Sequence, residues 1–151
     1  MISKSKSGIE QSSKNGASTR VKANEYKRIF VFGANSAGRH GAGAALYAVR
    51  YKGAIYGKGF GHYGNSFAIP TKDKNIVTLP LSTIRNYINK FIDYAAAHSE
   101  LEFQVTQIGC GLAGLKAGDI APMFENAPGN CLFDDAWFQF LGDAKHYWGT
   151  F

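Results

Sequence analysis

The chain has 151 residues, 45% of them hydrophobic and 14% aromatic, with 18 glycines, 4 prolines and a formal net charge of +6. That balance fits one globular domain and excludes a collagen-like or wholly unstructured chain, and the longest apolar runs, such as Ile29-Phe30-Val31-Phe32, stop far short of the ~20 residues of a membrane-spanning helix. Two cysteines, Cys110 and Cys131, are too few for a disulfide scaffold, and with no apolar leader the expected location is a reducing cytoplasm, away from membranes.

The charge is unevenly spread. Residues 1–28 hold seven basic side chains against two acidic ones, a net of +5, whereas residues 29–151 hold ten against nine. Ser3, Ser5, Ser7, Ser12, Ser13 and Ser18 alternate there with Lys, Gly and Asn, so residues 1–28 read as a flexible basic leader and residues 29–151 as a single domain. No aromatic residue stands among those charges before Tyr26, so the leader is expected to be solvated and nucleic acid is not expected as a partner.

Residues 28–33, Arg-Ile-Phe-Val-Phe-Gly, suit a strand buried on both faces. Ala45, Leu46 and Val49 predict a helix over residues 42–52, with Gly53 as its C-cap, and the glycine-rich residues 57–65 predict an irregular loop. Residues 66–70 and 75–79 read as short strands, closed by Pro70 and Pro80. Ser82 is placed to cap the clearest helix, whose Ile84, Tyr87, Ile88, Phe91, Ile92 and Ala95 repeat with helical period. A strand over 103–108, a glycine turn over 109–114, a short helix over 117–125 and a strand over 130–133 follow. Asp134 is then placed to cap a terminal helix carrying Trp137, Phe138 and Leu141. His98 and His146 read as helix-end and tail residues.

Strands alternating with helices imply an α/β fold with a mostly parallel (mixed) sheet covered on both faces, and ligands in such sheets bind outside the carboxyl ends of the strands. Glycine turns stand in that position twice, over 33–43 before the first helix and over 109–114. Bare backbone N–H groups at a helix start make an anion site, so neighbouring turns would flank one cleft able to hold a diphosphate; the alternative is that the glycines only permit close packing. Residues 109–114 also match Gly-x-Gly-x-x-Gly, but so do residues 59–64, and no Gly-Lys-Ser/Thr sequence supports a triphosphate loop.

The candidate chemical groups lie in and around these turns. Asn35 can hydrogen-bond a ribose hydroxyl or position a water, or simply make a turn. Arg39 and His40 can meet phosphate, and His40 can act as acid or base, or the two are simply an exposed loop pair. Cys110 has the setting of a nucleophile that His40 or His62 would assist, or of a small buried thiol. Phe60, His62 and Tyr63 can form a stacking wall over a base, or pack onto their own domain. Asp119, Asp134 and Asp135 read as helix caps. No His/Cys spacing suits zinc, and neither metal nor cofactor is expected.

Phe32-Gly-Ala-Asn35 with Gly41-Ala-Gly43-Ala-Ala45, then Ile69-Pro-Thr, then Ile108-Gly-Cys-Gly-Leu112 resembles the macro-domain family of ADP-ribose binding and processing proteins, its small bacterial and phage members above all. The resemblance runs from about Ile29 to Phe133 and implies a three-layer α/β/α sandwich with an ADP-ribose cleft. It implies that Asn35 meets the distal ribose and that Gly41 to Gly43 line its phosphate side; Gly33, Ala34 and Arg39 of the same loop are further candidate ligand contacts. Gly109, Cys110, Gly111, Leu112, Ala113 and Gly114 would form the second phosphate loop. Nothing before Ile29 matches the Gly-Asp-Ile/Leu segment by which many members read adenine, and Ala113 stands where the deglycosylating members carry a catalytic Asp. Three readings follow: a domain that binds ADP-ribose or a related NAD-derived nucleotide, with or without hydrolysis of an ADP-ribosyl or phosphate ester bond by Asn35 and His40, a non-catalytic reader of ADP-ribosylated protein or nucleic acid, and a nucleic-acid-binding protein that uses its leader.

Overall fold

The computed structural model describes residues 28–151, so the leader read over residues 1–28 lies outside it except for Arg28. Arg28 opens a strand instead of closing the leader, and its guanidinium pairs with Glu102 at 2.6 Å. Strand β1, Arg28–Asn35, alternates its side chains between two apolar clusters: Ile29 and Val31 enter the larger one, Phe30, Phe32 and Ala34 the smaller one. Burial on both faces is what a central strand requires.

The other strands are β2 Gly61–Tyr63, β3 Ser66–Lys72, β4 Glu102–Val105, β5 Cys131–Asp134 and β6 His146–Gly149, and together they form a six-stranded sheet of order β2-β3-β1-β4-β5-β6. Every neighbouring pair is parallel except β2 with β3, so the sheet is mixed. Pro70 lies inside β3 and does not end it: β2 pairs only with Ser66, Phe67 and Ala68, so Pro70 stands where β3 has one paired neighbour. β2 itself falls in the segment read as an irregular loop, and β6 in the segment read as a tail.

Helix α1, Gly43–Tyr51, lays Ala44, Ala45, Tyr47, Ala48 and Val49 over Phe30 and Phe32, and Gly53 takes the left-handed backbone (φ +78°) expected of its stop. Helix α2, Leu81–Ala97, buries Ile84, Ile88, Phe91 and Ala95 against the larger cluster, as its periodicity predicts. It starts one residue before Ser82, and the carbonyl of Pro80, not a Ser82 side chain, accepts its first bonds from Thr83 and Ile84. At its other end the side-chain amide of Asn130 donates to the carbonyls of Ala95, His98 and Leu101.

The helix read over 117–125 divides into α3, Ala117–Ile120, and a 3-10 turn, Ala121–Phe124, because Pro122 has no N–H to continue the ladder. Asp134 caps as expected, accepting from the Ala136 N–H at 2.9 Å, and the 3-10 turn Asp135–Trp137 leads into α4, Phe138–Leu141. Residues 75–79 are not a strand. The Asp73 carboxylate accepts from the N–H groups of Asn75 and Val77, and Ile76 takes φ +66°, a backbone no extended strand contains. Only Thr78 makes an isolated bridge, to Lys72.

Candidate functional site

β1 and β4 are parallel neighbours, so both glycine loops leave the sheet at the same edge. Between them lies a cleft of about 560 Å³. Gly33, Ala34, Asn35, Arg39, Gly41 and Gly43 line one side, and Gly109, Cys110, Gly111, Leu112 and Ala113 the other. Thr71, Lys72 and Ile76 from β3 and its following turn, Thr106 and Gln107 after β4, and Phe151 complete it.

The glycines divide into two kinds. A Cβ at Gly59 would stand 2.5 Å from the Asn35 carbonyl oxygen and 2.6 Å from that of Ser36, so Gly59 lets the 57–59 segment support the first loop from behind. Gly57 N–H donates to the Gly38 carbonyl at 2.8 Å in the same contact. Gly41 and Gly111 differ: a Cβ at either meets nothing within 4 Å and neither has a positive φ. Neither the chain's packing nor its backbone geometry requires glycine there, and both face the cleft.

Asn35 organises the first loop. Its side chain donates to the Arg39 carbonyl and accepts from the Arg39 N–H, each at 2.9 Å, and its own carbonyl accepts from Gly38 N–H. Arg39 in turn donates to the Lys74 carbonyl, and the Thr78 hydroxyl donates to the Ala113 carbonyl at 3.2 Å. The turn after β3 is thus strung between the two glycine loops. It carries Ile76, a β-branched residue held in the left-handed region at the cleft wall with 47% of its surface exposed.

Electrostatically the cleft is suited to an anion. Its described lining includes Arg39 and Lys72 and no Asp, Glu or His. The first turn of α1 also lines it, with no side-chain cap and no acidic residue, so amides of that turn are left for a ligand. The Cys110 thiol lines the cleft too, but burial pushes its pKa up, away from the thiolate a nucleophile needs.

Four candidate residues lie elsewhere. His40 is not an exposed partner of Arg39: it is 2% exposed, packs edge-on against Phe32 and bonds the Lys58 carbonyl at 3.0 Å through Nε2. Desolvation lowers its pKa against the opposing pull of the Lys58 and Ile55 carbonyls, so it is a neutral buried ring outside the cleft lining. Phe60 packs on Phe67 and Tyr87, and Tyr63 lies on β2, with two strands, β3 and β1, between it and β4. With them goes His62, bonded to the Tyr94 hydroxyl at 2.6 Å, so this trio forms no wall over the cleft. Gly114 closes the second loop with φ +71° without lining the cleft.

Sequence reading missed Thr71, Lys72, Ile76, Thr106, Gln107 and Phe151 as lining residues. Ile69-Pro-Thr was already a marked motif, and Thr71 is its last residue; Phe151 carried no local signal. Among the described residues no group of His, Cys, Asp and Glu is arranged to hold a metal, both cysteines are free, and no helix is long and apolar enough to cross a membrane. No protein-family model, curated protein or solved structure matches the chain.

Proposed function

We propose that the cleft binds ADP-ribose or a related NAD-derived nucleotide, its diphosphate lying between the two glycine loops. The observation that carries this reading is the pair Gly41 and Gly111: two glycines that the fold does not need, one from each loop, in a cleft lined by backbone, Arg39 and Lys72. A bare backbone lets phosphate oxygens approach N–H groups that a side chain would screen. In this reading the domain is a macro-domain-like, three-layer arrangement, supported by the apolar clusters on either side of β1.

The chemistry of the lining favours a reader over a hydrolase. The cleft offers no carboxylate side chain and no imidazole to activate water, and the Asn35 amide is held by Arg39 through both of its polar atoms. Asn35 is therefore a positioning residue for the first loop, and ADP-ribosylated protein or nucleic acid is the target class. Calorimetry of the full chain against ADP-ribose, NAD, ATP and AMP tests the binding: ADP-ribose should bind far more tightly than AMP, and absence of heat with all four would make the glycine loops purely structural. Release of ADP-ribose from a modified protein, or of phosphate from its phosphate ester, would replace the reader by an enzyme.

A further inference from the structure

The charge of the described chain is split along its length. Between Arg28 and Lys72 there are six basic residues and no acidic one, whereas residues 73–151 hold nine acidic and five basic residues. The basic part contains the first wall of the cleft and α1, and two rings of α1, Tyr47 and Tyr51, continue a row that starts at Phe151. Phe151, which lines the cleft, lies 5.1 Å from Tyr47 centre to centre, and Tyr47 lies 5.0 Å from Tyr51 one helical turn further on. The two ends of the row are open to solvent, Phe151 at 54% and Tyr51 at 68%.

Beside the row stands exposed Arg50, and the segment after α1 adds Lys52, Ile55, Tyr56 and Lys58 as it returns to the first glycine loop. Tyr56 is 62% exposed and Ile55 48%. Tyr51, Ile55 and Tyr56 are exposed apolar side chains close together in the chain, and they are interspersed with cations and no acidic side chain.

We propose that single-stranded nucleic acid binds along α1, its bases meeting the rings from Phe151 to Tyr51 and its phosphates meeting Arg50, Lys52 and Lys58. Single strands are held by this combination of stacking faces and unpaired cations, and stacking accepts any base. A duplex would hide the base faces that the row is suited to, and an acidic peptide would make no use of them. This surface belongs to the folded domain and not to the leader, which was the only nucleic-acid element legible in the sequence. The proposal does not depend on what the cleft itself binds, because its test uses no ADP-ribose.

Fluorescence anisotropy of a labelled oligothymidylate of about 12 nucleotides with the full chain decides it. The parent should bind, Tyr51→Ala should weaken binding about tenfold, and Arg50→Ala should reduce the slope of log affinity against log salt by about 0.7. Both side chains are exposed, so melting curves should match the parent; should Tyr51→Ala unfold, Tyr56→Ala takes its place with the same expectation. Replacing Lys4, Lys6 and Lys14 by Ala separates the leader. Loss of binding in that variant, with Tyr51→Ala and Arg50→Ala unchanged, would overturn the proposal. So would absence of oligonucleotide binding by the parent, including a protein that binds anionic vesicles instead.

Discussion

At the scale of single residues, space and backbone angle separate glycines that hold the fold from those that only face the cleft. Gly111→Val places a branched side chain in the open cleft, so ADP-ribose affinity in calorimetry should fall at least about tenfold while the melting temperature stays close to the parent's. Gly59→Ala should do the reverse in kind: its Cβ meets two backbone carbonyls, and chemical denaturation should report a loss of about 2 kcal/mol or more. His40 is a residue whose role the structure changes. Its pKa lies below the ordinary 6.5 because burial disfavours the charged ring, so the unfolded chain takes up a proton before the folded one does. The stability that depends on a neutral His40 is complete above pH 6.5 and declines as pH falls below it. His40→Gln, which can still donate to the Lys58 carbonyl, should flatten that part of the stability profile; an unchanged profile would show that His40 is not its source.

At the scale of elements, the first turn of α1 sits at a conflict between stability and binding. Ala42 has the extended backbone of an N-cap (φ −158°, ψ 165°) but no side-chain acceptor, so the helix start is left without its usual partner. Ala42→Asp should supply that acceptor and raise stability by about 1 kcal/mol, yet weaken ADP-ribose binding by setting a fixed carboxylate among the amides proposed for phosphate; tighter binding in this variant would remove α1 from the site. The turn after β3 holds a similar conflict, because a β-branched residue in the left-handed region is strained and Ile76 is kept there at the cleft wall. Ile76→Gly should raise stability by about 1 kcal/mol, strain relief outweighing the added freedom of the unfolded chain. A melting temperature below the parent's would mean instead that the side chain's contacts outweigh the strain.

At the scale of the whole molecule, one buried carboxylate connects the second half of the sheet to the cleft. Asp134, fully buried at the end of β5, accepts from the N–H of Ala136 and of Phe151, from the Thr150 hydroxyl and from the Gln107 amide. Gln107 and Phe151 both line the cleft, so this carboxylate fixes the end of the chain beside the second glycine loop. Asp134→Ala leaves those four donors without their acceptor and should cost at least about 3 kcal/mol in denaturant unfolding. It should also loosen Phe151, and with it the ring row that runs along α1 from the cleft. The acidic and basic halves of the described chain meet in the same region, since β1 of the basic half lies beside β4 of the acidic one.

The periodicity of residues 84–95 specified α2 and its buried face, because four apolar positions on one stripe leave no other way to bury them. The β-branched and aromatic run of β1, closed by Gly-Ala-Asn, likewise specified a central strand with a loop at its carboxyl end. Local pattern also placed the two glycine loops that the cleft lies between, since a turn after a strand of a parallel sheet leaves at its carboxyl end. What local pattern did not determine was anything set by a distant partner. β6 is a strand because β5 pairs with it, and His40 is buried because Phe32 and the Lys58 carbonyl enclose it; the turn over residues 75–79, where Asp73 captures N–H groups two and four positions on, is by contrast a local feature that the strand reading passed over. Phe151 reaches the cleft only through Asp134, Phe30 and Tyr47, which are far from it in the chain. The sequence determined elements whose stability is local or periodic, and the tertiary structure alone decided which side chains those elements bring to a common cleft, because that depends on strand order and on hydrogen bonds between residues many positions apart.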